Sequence, residues 1–218
     1  MSEVQFELFL RGTEVVQVDP KVSYNLLLNT HYAGRIPSIS FCFGLYVEGE
    51  LAGVVSYGKP PAATQRSGLL GPEMADRVLE LNRLCLVHNR KNEASSLVGA
   101  SLRLLPKPLA ILSYADPEQG HEGYIYQATN FIYCGLTAKR KEWKIKGMEH
   151  LHSQTIADKF RGHKKPSQAI REAYGDDFYL KERPRKHRYV YFTGSKTERK
   201  RMRKALKYKI EKYPKGAK

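Results

Sequence analysis

The sequence predicts a single mixed α/β sheet with helices on its faces, and three observations carry that expectation. Period-two strand patterns and helical spacings take turns along the first 138 residues, separated by Gly- and Pro-rich turns. Apolar residues make up 41% of the chain and aromatics 11%, enough to bury a core in 218 residues. The charge then divides sharply: residues 1–138 hold 11 Lys and Arg against 13 Asp and Glu, a net of −2, whereas residues 139–218 hold 26 against 9, a net of +17. A folded core over 1–138 and a basic extension over 139–218 packed on it are the expected organisation.

Element by element, "VQFELFL" and "TEVVQVD" alternate as strands joined at "RGT". Asp19 as N-cap and Pro20 in the first turn open a short helix over "KVSYNLLLNT", which ends before the loop "HYAGRIP". "SISFCFGLYV", the turn "EGE" and "LAGVVSYG" form a hairpin in which Gly49 takes a positive φ. The segment "KPPAATQRSGLLGPE" is long enough for a lid or substrate loop. "LELNRLCLV" follows as a strand, "NEASSLVGASLRLL" as a helix, "LAILSYAD" as a buried strand, "GYIYQATN" as a short helix and "FIYCGLT" as a strand. Beyond 139, "KEWKIKGMEHLHSQTIADKF" and "PSQAIREAYGDDF" suggest short helical or irregular pieces, and "HRYVYFTG" alternates as a strand. Ser195 and Glu198 are spaced as a capping box for a terminal helix. Met202, Leu206, Ile210 and Tyr213 would line its apolar side, leaving Arg199, Lys200, Arg203, Lys204 and Lys207 for a polyanion.

Charge and composition restrict the function classes. A basic face of this strength concentrates polyanions and is released by salt, which favours nucleic acid over a membrane. The apolar run "SLVGASLRLLPKPLAIL" is broken by Arg103, Pro106, Lys107 and Pro108, short of a bilayer span. The start "MSEVQFELFL" carries acids where a secretory signal has a basic start. Cys42, Cys85 and Cys134 sit in apolar, strand-like sequence without metal-ligand spacing, so buried free thiols are expected.

The chemistry-bearing residues cluster in a few segments. Asp116 ends a buried strand, where α/β sheets open a crevice, and can serve as general base, metal ligand or turn cap. His121 stands between Gly120 and Gly123 as base, ligand or turn residue. On a helical "GYIYQATN", Tyr126 and Asn130 share a face and Gln127 begins the next, a combination that suits either a base-binding wall or ordinary core. The loop after the first helix offers His31, Tyr32 and Arg35. "ELNRL" places Glu80 and Arg83 on a strand, as a salt bridge or a substrate clamp.

Taken together, "HYAGRIP", "ELNRLCL", the Asn92 to Ser96 segment, "SYADPEQGHEGYIYQATNFIYCG" and the late "RPRKHRYVYFTG" with its basic helix resemble the Mom proteins of bacteriophages, in the same order over most of the chain. The resemblance implies a GCN5-related N-acetyltransferase-like fold, acting in the cytoplasm of an infected bacterial host. It further implies conversion of the exocyclic N6 amine of adenine in double-stranded DNA to an N6-carbamoylmethyl group, protecting the DNA from restriction. By the same resemblance His31, Tyr32, Arg83, Asp116 and Tyr126 are the catalytic residues and Ser96, or its neighbour Ser95, matches a family serine, while the residue types of Arg35, His121, Gln127 and Asn130 make them candidates around the substrate or a small-molecule group donor. Lys186, Arg188 and the cations of the terminal helix would contact DNA, and His31, Tyr32, Asp116 and Tyr126 are an implied iron site. Acetyltransferases of that fold hold the coenzyme A pyrophosphate on a Gly-rich turn, whereas "HNRKNEASSLVGAS" has no glycine before its helix, which argues against acetyl-coenzyme A. The alternatives are an acyltransferase acting on a protein or small amine, and a nucleic-acid-binding protein without group transfer. "GYIY" and "IYCG" are superficially similar to GIY-YIG nucleases, but the spacing differs.

Overall fold

A computed structural model describes residues 12–31, 34–151 and 153–214. The expected first strand "VQFELFL" and Tyr32 lie outside the described residues. The elements run β1 (Thr13–Gln17), α1 (Lys21–Asn29), β2 (Phe41–Val47), β3 (Glu50–Gly58), α2 (Ala63–Leu70), β4 (Val78–Leu86), α3 (Glu93–Leu104), β5 (Ala110–Ala115), α4 (Tyr124–Ala128) and β6 (Ile132–Leu136). They continue through β7 (Arg140–Ile145), α5 (Ser153–Lys159), α6 (Pro166–Tyr174), β8 (Phe178–Arg183), β9 (His187–Phe192) and α7 (Lys196–Ala205).

Among the described residues seven strands form one sheet, in the order β1-β2-β3-β4-β5-β9-β6. Every pairing is antiparallel except β4 with β5. The β2–β3 turn places Glu48 at φ 51 and Gly49 at φ 83, the paired positive angles that match the twist of two-residue hairpins. Asp19 caps α1 by accepting the Lys21 N–H at 2.8 Å.

Strand alternation splits the core between two faces. Phe43, Val55, Tyr57, Leu81, Ile111 and Tyr189 pack under α3 through Leu97, Val98 and Leu102. On the other face Leu27 of α1 covers Val54 and Cys85, while Leu69 and Leu70 of α2 and Met202 of α7 cover Val78, Leu112 and Val190. Each such fully buried side chain contributes about 1.5–3 kcal/mol. The three cysteines are buried and free, and among the described residues no helix is long and apolar enough to cross a membrane.

Several expectations need correction. Within the segment 59–73, Ala63–Leu70 form a helix anchored by buried Leu69 and Leu70 rather than an open loop. The boundary at 139 does not divide the sheet, because β9 lies between β5 and β6. What is separate is the insertion 137–186, where β7 and β8 pair and Ile145, Ile156, Ile170 and Phe178 form a small core of their own. The charges of "RKEWKI" hide its alternation, so β7 is a strand where helical or irregular structure was expected. The terminal helix keeps its capping box, with the Ser195 N–H donating to Glu198 Oε2 at 2.7 Å, but stops at Ala205. Ile210 and Tyr213 belong to a trailing segment along β6, in which the Glu211 N–H donates to the Tyr133 carbonyl at 3.0 Å.

Candidate active site

The parallel ladder between β4 and β5 covers only Val78↔Ala110, Leu79↔Ile111 and Glu80↔Leu112. The next contact comes from a side chain: Ser113 Oγ donates to the Leu81 carbonyl at 3.0 Å. Beyond it β4 continues along β3 as far as Leu86, and β5 continues along β9. The carboxyl ends of β4 and β5 therefore part company in the middle of the sheet, the kind of place where α/β sheets open a crevice.

Polar groups collect on the α1 side of that parting. Register places Arg83 opposite Ser56, and Glu80 alternates with Leu79 and Leu81 of the α3-side core. Burial raises the Glu80 pKa, opposed by the charges of Arg83 and Lys186. His31 follows α1, its N–H donating to the Leu26 carbonyl at 3.2 Å. Burial, reinforced by Arg83 and His121, lowers its pKa to about 4, so the ring is neutral at neutral pH and only weakly basic. Asp116, 9% exposed, meets Lys186 Nζ at 2.7 Å and accepts the Glu118 N–H at 3.2 Å. The residue is thus both the turn cap and the partner of a cation brought from the far end of the insertion.

The expected residues do not all share this face. Ser95 and Ser96 lie in the first turn of α3, where Ser95 Oγ donates to the Asn92 carbonyl at 3.1 Å. Tyr126 packs against the α3-side core, its ring 5.3 Å from Phe131 and 5.2 Å from Tyr189. Gln127 donates one amide N–H to the Tyr189 hydroxyl at 3.2 Å, which ties it to the core. Asn130 is an exposed turn residue at φ 62, and Arg35 and His121 are exposed. Tyr32, one of the four implied iron ligands, lies outside the described residues, and the other three do not fit a shared ion. The Asp116 carboxylate is held by Lys186 and Tyr126 packs under α3, while among the described residues no cluster of three or more His, Cys, Asp or Glu could hold a metal.

Two expected DNA contacts are also reassigned. Lys186 pairs with Asp116 instead of facing solvent. Arg188 is only 8% exposed: its guanidinium lies 3.7 Å from the Tyr208 ring centroid and donates to the Cys134 carbonyl at 3.2 Å. Arg199, Lys200, Arg203, Lys204 and Lys207 do face solvent. Sequence reasoning placed Glu80 and Arg83 on their strand but could not see Lys186 as the mate of Asp116. A separation of 70 positions carries no local signal, although a lysine flanking a buried strand was the hint.

The turn between β4 and α3 modifies the glycine argument. Asn89 and Asn92 adopt φ 49 and φ 69, the left-handed shape that glycine usually supplies. Glu93, 2% exposed, accepts the Arg90 N–H at 2.8 Å, so a buried carboxylate already occupies the start of this helix. The backbone shape is present, but the charge there opposes another anion.

The model of the Mom protein family matches residues 13–215. The methylcarbamoylase Mom of Escherichia phage Mu is 28% identical over 204 residues, covering 87% of this chain and 78% of that protein. Solved structures similar to the chain include Ard1 from Thermoplasma volcanium, at 10% identity and a TM-score of 0.44 over 84% of this chain and 99% of that one. An acetyltransferase of Bacillus subtilis in complex with CoA aligns at 13% identity and a TM-score of 0.43 over 84% of this chain and 98% of that one.

Proposed function

The chain belongs to the Mom protein family, and from that premise we propose that it is a DNA-modifying transferase that places a carbamoylmethyl group on the N6 amine of adenine. The observation that carries this reading is the polar cluster at the parting of β4 and β5: a neutral His31 beside Arg83, and Asp116 oriented by Lys186.

Adenine's amine is a weak nucleophile because its lone pair is delocalised into the ring, so a catalyst must position it and take its proton as the new N–C bond forms. His31 is the proton acceptor in this scheme; a weak base suffices because the N6 nitrogen becomes strongly acidic as the N–C bond forms. The Asp116 carboxylate, held at 2.7 Å by Lys186, accepts the amine's other N–H and aligns it. Arg83 offers a fixed positive charge for the group that leaves the donor carbon. The acceptor enters from the α1 face, and the donor lies on the α3 face near Ser95, Ser96 and Tyr126, with a crevice joining the two. Duplex DNA buries its bases, so the adenine is extruded to reach the cluster.

Nucleosides from DNA of cells expressing the protein test the proposal by mass spectrometry. The expected result is a deoxyadenosine heavier by one carbamoylmethyl substituent, lost with Asp116→Ala. Unaltered deoxyadenosine at normal levels of folded protein would overturn it.

A further inference from the structure

We propose that the neck of the 137–186 insertion carries a phosphate-binding crevice that holds the DNA strand beside the active site, a location the terminal helix alone would not provide. The insertion holds 14 Lys and Arg against 7 Asp and Glu, so it carries much of the basic charge of the chain's second part. At its base is a hollow of about 310 Å³ lined by Lys139, Arg140, Arg183 and Arg185, together with the acids Glu118 and Glu182.

The arrangement of the cations is the informative part. Arg140 and Arg183 are direct cross-strand partners in the β7–β8 ladder, where like charges repel. Among the described residues no ion pair relieves either of them. Lys139 and Arg185 extend the pair toward the sheet, and the Arg185 Nε–H is fixed on the Thr137 carbonyl at 2.6 Å. A bound phosphate between two such arginines would convert the repulsion into attraction and accept their planar N–H forks.

Position ties the hollow to the reaction. Glu118, on its wall, is two residues from Asp116, and Arg185 directly precedes the lysine that pairs with Asp116. A phosphate held there belongs to the strand whose base reaches the cluster. The inference rests on the DNA reading above, and a binding measurement separates the two.

The assay is fluorescence anisotropy of a labelled short DNA duplex, titrated with the full chain at several salt concentrations, alongside nucleoside mass spectrometry for the same variants. Arg140→Ala/Arg183→Ala should weaken binding and reduce the slope of log K against log salt by about one to two, the loss of one or two phosphate contacts. Lys164→Ala/Lys165→Ala removes the same charge from an exposed loop of the insertion outside the hollow and should change the slope less. Glu118→Gln should tighten binding, an effect that misfolding cannot produce. An unchanged slope in the arginine variant, an equal loss in the lysine variant, or no gain from Glu118→Gln would overturn the crevice. If deoxyadenosine stays unmodified while the arginine effect is present, the crevice stands and the transfer reading falls. If deoxyadenosine is modified and the slope does not move, the crevice falls and the transfer reading stands.

Discussion

Replacing Lys186 by Met distinguishes a positioning lysine from a DNA contact. The Lys186 and Asp116 side chains are 25% and 11% exposed and 2.7 Å apart. An exposed pair of this kind contributes ~0–1 kcal/mol, and breaking a fully buried one costs ~3–5 kcal/mol because a charge is left unpaired. The observed burial lies between those limits, so Lys186→Met should cost about 2–4 kcal/mol. For a chain of this size that lowers the Tm by roughly 4–16 °C, measurable by circular dichroism. Lys186→Arg should recover part of it. Adding Asp116→Asn to Lys186→Met should cost less than the two single changes together, with a coupling of about 1–3 kcal/mol. If Lys186 instead gripped phosphate from the surface, its loss would leave stability within ~0.5 kcal/mol. That outcome, or strict additivity in the cycle, would refute the assignment of Lys186 to Asp116.

Other consequences of the structure are open to measurement. Because the folded His31 pKa is about 4 against an ordinary 6.5, the unfolded chain binds more protons between those values, and stability should fall as pH drops from 6.5 toward 4. Screening at a half-buried site limits the effect to about 1–2 kcal/mol, and urea melts of His31→Gln across this range should be flatter by that amount. Arg188→Ala should cost about 2–4 kcal/mol in urea melts, from the lost stack on Tyr208 and the unpaired Cys134 carbonyl, while leaving the salt slope of DNA binding unchanged. Alanine at Arg199, Lys200 and Arg203, all exposed on α7, should do the reverse: Tm nearly unaltered and a salt slope smaller by about two to three if all three face phosphate.

Much of the sheet was legible because its signals are local. Period-two runs marked β2, β3, β5, β6 and β9, and the Ser195–Glu198 spacing marked the start of α7. The stop of α7 was not legible, because Leu206 and Ile210 keep helical spacing while the chain turns away to pair its Lys207 N–H with the Leu69 carbonyl at 2.9 Å. Tertiary contact won over periodicity there. Arg83 and Asp116 could be nominated from their places on strands. Which face each residue took could not, since the extra residue near Asn82 shifts the register between Ser56 and Tyr57 and resets the alternation ahead of Arg83. The segment 113–135 is divided between two places: Asp116 serves the polar cluster, while Tyr126, Gln127 and Tyr133 knit the α3-side core around Tyr189.

The placement of the insertion explains why charge and catalysis cannot be separated by cutting the chain at residue 139. Its two ends meet at the neck, where the Thr137 N–H donates to the Lys186 carbonyl at 2.8 Å and the Lys186 N–H donates to Thr137 Oγ1 at 2.9 Å. From that doubly fixed backbone the Lys186 side chain reaches Asp116, and one residue later β9 enters the sheet between β5 and β6. The insertion is therefore tied to the residue pair that orients Asp116 by two hydrogen bonds and a strand that cannot slide without flipping its buried side chains to the opposite face. The basic half of the sequence is better described as a handle built into the sheet than as a tail, and a chain ending before it would lose β9, Lys186 and the orientation of Asp116 together.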